Sequence, residues 1–89
     1  MRSEFEVLVD AQAARDLKSL SRRHHPILPR LKRRIDSLAH EPFLGKPLKG
    51  GERGCYSLRD GDFRVIYEVF EERRVVLVIR VGDRKEIYR

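Results

Sequence analysis

The sequence predicts an α+β fold: an N-terminal strand, two helices, then an antiparallel meander of three or more strands, with the helices on one face of a twisted sheet. Three observations carry that expectation. Polar and apolar residues alternate in "FEVLVD", the period of a strand. Apolar residues then recur three and four apart through residues 11–40, the period of helices. The run over residues 55–81 reads as strands broken by an Asp-Gly turn. At 89 residues the chain suits a single domain, residues 1–89, because chains divide only when one core stops growing at far greater length.

In the first strand Phe5, Val7 and Val9 share one side. Asp10 is placed to cap the first helix, "AQAARDLKSLSRR", whose apolar face is Ala13, Leu17 and Leu20. "HHP" at residues 24–26 ends the pattern, since the residue before a proline is pushed out of the α region. A second helix fits "PRLKRRIDSLAH", with Pro29 tolerated in the first turn and Leu31, Ile35 and Leu38 on one face. Pro42, Gly45, Pro47, Gly50, Gly51 and Gly54 mark an irregular connection.

Strands are expected at residues 55–59, 63–70 and 75–81. A hairpin centred on Asp60-Gly61 pairs Leu58 with Phe63 and Ser57 with Arg64. Tyr56, Leu58, Phe63, Val65, Tyr67 and Val69 then face the helices, and Ser57, Arg59 and Arg64 face away. A three-residue turn in "EERR" puts Val75, Leu77, Ile79 and Val81 on the core side and Arg80 across from Arg64. Like charges directly opposite destabilise a sheet, a cost that makes sense if an anion sits between them.

Hydrophobic content of 40% with 38% charged residues describes a globular chain. No apolar run approaches the roughly 20 residues that span a bilayer, and no signal-peptide pattern opens the chain. One cysteine excludes an internal disulfide, so a cytoplasmic protein is expected. A net charge of +6 points to nucleic acid or an acidic protein as partner. His24, His25, His40 and Cys55 lack the spacing of metal ligands, and no Gly-Lys-Ser/Thr follows a glycine loop, so no metal or cofactor is expected.

Over nearly the whole chain, "PLKGGERGCYSLR", "DFRVIYEV", "VVLVIRVGDR" and "EIY", in that order, resemble the RelE/ParE toxin superfamily of type II toxin–antitoxin systems. The resemblance implies a ribosome-dependent endoribonuclease that cuts mRNA without a metal, by attack of a 2′-OH on the adjacent phosphate. It also implies an acidic antitoxin as partner. Carried over by motif, Arg64 binds the scissile phosphate and Arg84 stabilises the transition state or the leaving group. Tyr88 orients the 2′-OH or stacks on a base. Arg59 falls where the family often has a lysine, and Lys49 matches a basic loop position.

Two departures stand out. Ser57 replaces a residue that is basic in the best-known RelE members, and Arg59 holds its proton permanently, so no lysine base is available there. Ser57 and Lys49 are grouped as RNA-facing positions with Arg80 and with Arg33 and Arg34 of the "RLKRR" cluster. Two alternatives remain: a ParE-like, non-enzymatic gyrase poison, or a catalytically weak toxin that acts only as an antitoxin-binding module.

Overall fold

The computed structural model describes residues 4–48 and 54–87. Its elements run β1 (Glu6–Val9), α1 (Ala11–Arg22), α2 (Leu28–Ser37), β2 (Lys46–Pro47), β3 (Cys55–Asp60), β4 (Phe63–Phe70), β5 (Val75–Asp83) and α3 (Arg84–Ile87). The strands form one sheet in the order β1-β5-β4-β3-β2, antiparallel throughout except that β1 runs parallel to β5. Among the described residues no helix is long and apolar enough to cross a membrane.

The helices begin and end for the expected local reasons. The Asp10 carboxylate accepts the Ala13 N–H at 3.0 Å, satisfying one of the donors that a helix start leaves open. Beyond α1, His24 turns into the left-handed region at φ 52° ahead of Pro26. Pro29 sits in the first turn of α2. Ala13, Leu20, Leu31, Ile35 and Leu38 from the helices then pack on Leu58, Phe63, Val65, Tyr67, Val69, Val76, Val78 and Val81 from the sheet. Both helices therefore cover one face.

Both hairpin registers differ from expectation, with different consequences. In the first, the turn centre is Gly61-Asp62 with Gly61 at φ 64°, so Asp60 pairs with Phe63, Arg59 with Arg64 and Leu58 with Val65. A glycine at the first central position suits a type II′ turn. The ladder slips by two residues, and since side chains alternate with period two, every one keeps its predicted face. Asp60, now inside the strand, receives the Arg30 guanidinium on both oxygens, at 2.8 and 3.0 Å.

In the second hairpin residues 71–74 form a four-residue turn, with Arg74 left-handed at φ 56°, and Phe70 pairs with Val75. That one-residue change turns Val76 and Val78 into the core, in place of the expected Val75, Leu77 and Ile79. A bulge then skips Ile79: Tyr67 pairs with Val78 and Ile66 with Arg80, which returns Val81 to the core side. Arg80 consequently lies across from Ile66, not Arg64, whose partner is Gly82. Phe5, just before β1, and Val7 within it pack on the core as expected, but Val9 is 40% exposed at the sheet edge.

Asp16 of α1 holds the bulge. Its Oδ2 accepts the Val81 N–H at 2.8 Å and Arg80 Nε at 2.9 Å, while Gln12 donates to Oδ1 at 3.1 Å.

Tyr67 anchors the other side of the sheet. It is fully buried, stacks on Tyr56 with ring centroids 5.6 Å apart, and its hydroxyl accepts the Gly45 N–H at 2.8 Å. Burial pushes the phenol upward from its ordinary value of 10.0, the Gly45 N–H opposes that, and Tyr56 adds to it. A raised folded value means that the stability it contributes is full below pH ~10 and declines as pH climbs toward the folded value. Tyr67→Phe is therefore expected to cost about 1–2 kcal/mol near pH 8, through the orphaned Gly45 N–H. The gap to the parent chain should narrow above pH ~10 in urea unfolding.

Candidate functional site

On the face away from α1 and α2, Arg59 of β3, Arg64 of β4 and Gly82 of β5 form one cross-strand row. Two like charges stand directly opposite in it, an arrangement a sheet ordinarily avoids. Arg64 is only 7% exposed, and among the described residues its one side-chain hydrogen bond is a long one of 3.4 Å from Nη1 to the Phe63 carbonyl. Arg59 is exposed. Among the described residues neither guanidinium has a carboxylate within ion-pair distance. A largely buried cation without a counter-charge is costly, and an anion arriving from outside relieves that cost.

Arg84 enters from the end of the row. It follows Gly82 by two residues and opens α3, which lies against β4 and β5. The Arg84 N–H donates to the Asp62 carbonyl at 2.9 Å and Asp83 Oδ1 accepts the Lys85 N–H at 2.9 Å, which together fix where α3 starts. The Arg84 side chain is exposed, and no acid pairs with it among the described residues. Asp62, Asp83, Arg84 and Lys85 line an open cleft of about 320 Å³ where β5 ends.

The other positions singled out from the sequence divide. Ser57 lies on the arginine face, paired with Ile66 and with Lys46 of β2. Arg80 spends its charge on Asp16 at the sheet edge, as Arg30 does on Asp60. Arg33 is exposed on α2, on the helix side of the sheet. Arg34 is half-buried: Nη2 donates to the Arg59 carbonyl at 3.2 Å, and Nε is buried with no partner among the described residues. Lys49 and Tyr88 lie outside the described residues.

Asp16 was not singled out, although the sequence carries a signal for it. It falls among Ala13, Leu17 and Leu20, a carboxylate on the apolar face of its helix.

A half-covered sheet whose second face carries an arginine row, with no acid paired to it among the described residues, defines a small, basic α+β protein. Residues 7–88 match the family model for the ParE toxin of a type II toxin–antitoxin system, parDE. The chain is 40% identical over 53 residues to the toxin RelG of Mycobacterium tuberculosis, a match covering 58% of this chain and 61% of that protein's length. It is 31% identical over 78 residues to the mRNA interferase toxin RelE of Escherichia coli, covering 83% of this chain and 82% of that one. The toxin–antitoxin complex RelBE2 of M. tuberculosis contains a chain of the same fold, with a TM-score of 0.76 and 32% identity, over 90% of this chain and 98% of that one. The chain belongs to the RelE/ParE superfamily of type II toxins.

Proposed function

We propose that the protein is the toxin of a toxin–antitoxin pair and cuts ribosome-bound mRNA, without a metal ion, by internal transesterification. One observation carries this reading: Arg64 is a nearly buried guanidinium with no acid beside it among the described residues, facing Arg59 across the ladder. The similarity to an mRNA interferase supports it.

In the proposed reaction the ribose 2′-oxygen bonds to the adjacent phosphorus and the bond from phosphorus to the 5′-oxygen breaks. The products are a 2′,3′-cyclic phosphate and a 5′-hydroxyl. The phosphoryl group gains one negative charge on the way to the pentacoordinate state. Arg59 and Arg64, held by the β3–β4 ladder, supply fixed positive charge to it, and Arg84 reaches the leaving oxygen from α3. Arginines do not give up their protons at neutral pH, so these groups act electrostatically: the 2′-OH proton passes to water, and the departing 5′-oxygen takes its proton from water to become the 5′-hydroxyl. Tyr88 orients the attacking ribose and Lys49 grips the backbone. Before release, an acidic antitoxin neutralises the +6 surface, as the complex of the related toxin suggests.

Primer extension on mRNA in purified ribosomes tests the proposal. Cuts at codon-defined positions are expected, ending in cyclic phosphate and lost when the 2′-OH at the cut is replaced by hydrogen. Intact mRNA with active, antitoxin-free protein overturns it. The match of residues 7–88 to the ParE toxin family favours a second reading, for which the ParE-like resemblance implies a gyrase poison. Gyrase-dependent DNA cleavage complexes with translation unimpaired would establish that one instead.

A further inference from the structure

β2 is two residues long, too short to show a period, yet its register places a lysine on the arginine face. Lys46 pairs with Ser57 and Pro47 with Tyr56. Directly paired residues of an antiparallel ladder project to the same side. Pro47 therefore joins Tyr56 on the helix side, and Lys46 joins Ser57, Arg59 and Arg64.

Lys46 is exposed, and among the described residues no acid pairs with it. Its backbone is pinned on both sides: the Gly45 N–H donates to Tyr67 Oη at 2.8 Å and the Leu48 N–H to the Cys55 carbonyl at 3.0 Å. A strand separation of about 4.8 Å and a rise of about 3.4 Å per residue put the Lys46 Cα roughly 8 Å from Arg59 and roughly 12 Å from Arg64. Strand side chains stand roughly perpendicular to the sheet, so the charged heads keep about that separation. It is wider than one phosphate and suits the next one along the strand.

We propose that Lys46 grips an mRNA phosphate flanking the scissile one and supplies, from the neighbouring strand, the positive charge that Ser57 lacks. The proposal rests on the mRNA-cutting reading. The competing role for an exposed lysine on an edge strand is to block pairing with another chain, which involves no RNA contact.

Binding is measured on ribosomes carrying an mRNA whose scissile 2′-OH is replaced by hydrogen, at several salt concentrations. Lys46→Gln is expected to weaken binding several-fold and to reduce the slope of log affinity against log salt by about 0.7, the value for one contact to single-stranded RNA. Lys46→Arg should keep the slope, and Lys46→Gln with Ser57→Lys should restore it, because the charge moves one strand along the same row.

A slope unchanged in Lys46→Gln overturns the proposal, as does failure of Ser57→Lys to rescue. An equal Lys46 effect on ribosomes without mRNA places the contact on ribosomal RNA and overturns the assignment to mRNA. The cutting reading fails separately. Uncut normal mRNA with a Lys46-dependent slope leaves the contact standing and removes the nuclease, whereas cutting with a Lys46-independent slope does the reverse.

Discussion

Arg64→Ala is expected to slow single-turnover cutting of ribosome-bound mRNA by about 10²–10³-fold, the loss seen when one preorganised donor to a developing oxyanion is removed, or about 2.7–4 kcal/mol. Stability should hold or rise. The substitution deletes a nearly buried charge that no acid balances among the described residues and relieves its repulsion with Arg59, against the loss of some stem packing. Activity and stability moving in opposite directions distinguish a group kept for an absent anion from one that supports the fold.

Arg64→Lys should fall between, since it keeps the charge and loses the planar fork that meets two phosphate oxygens at once. Arg59→Ala should cost less, because Arg59 is exposed and its field is screened by water. Primer extension with thermal melting of the same preparations gives both quantities. Arg64→Ala that melts well below the parent chain, or that cuts at the parent rate, removes Arg64 from the chemistry.

The same positions show what a sequence reader can and cannot recover. Arg59 and Arg64 reach the right face by counting alternation alone, and they do so although the predicted turn was wrong, because a slip of two residues leaves parity untouched. The core faces of α1 and α2 and the Asp10 cap are equally local, written within a few residues of where they act. β5 is different. Its phase was reversed by a four-residue turn whose left-handed residue is an arginine, a type that gives no warning of positive φ.

The phase of β5 is then restored by a bulge that Asp16 holds from 65 residues away. Arg80 follows the bulge to the sheet edge and out of the arginine row. Lys46 was hidden for the opposite reason, since two residues and a proline carry no periodic signal and only the partner strand reveals the side on which they lie. Local alternation places a residue on a face; long-range hydrogen bonds decide which of those residues become neighbours.

Gly45→Ala is the second change expected to act strongly. A Cβ at residue 45 would stand 2.8 Å from the Ser57 carbonyl oxygen, 2.9 Å from its carbonyl carbon and 2.9 Å from Tyr67 Oη. Carbon pairs are most stable at about 3.5–4.0 Å, so something must move, and two of the three atoms belong to the backbone of β3. The expected cost is about 1–3 kcal/mol, as for other overpacked sites, a large share of the 5–15 kcal/mol typical of a domain.

Tyr67→Phe in the Gly45→Ala background tests where the strain resides. It removes the hydroxyl contact but leaves Ser57 in place, so relief should be partial. The hydrogen bond to residue 45 is already disturbed by the methyl group, so the two losses should fall short of additive by at least about 0.5 kcal/mol in a urea double-mutant cycle. An outward shift of residue 45 and the adjoining β2 to admit the methyl group would weaken mRNA binding as well, with the Lys46 charge itself unchanged. Strictly additive losses would mean that residues 45 and 67 do not share the contact. Unweakened binding at reduced stability would mean that the placement of β2 has no part in gripping RNA.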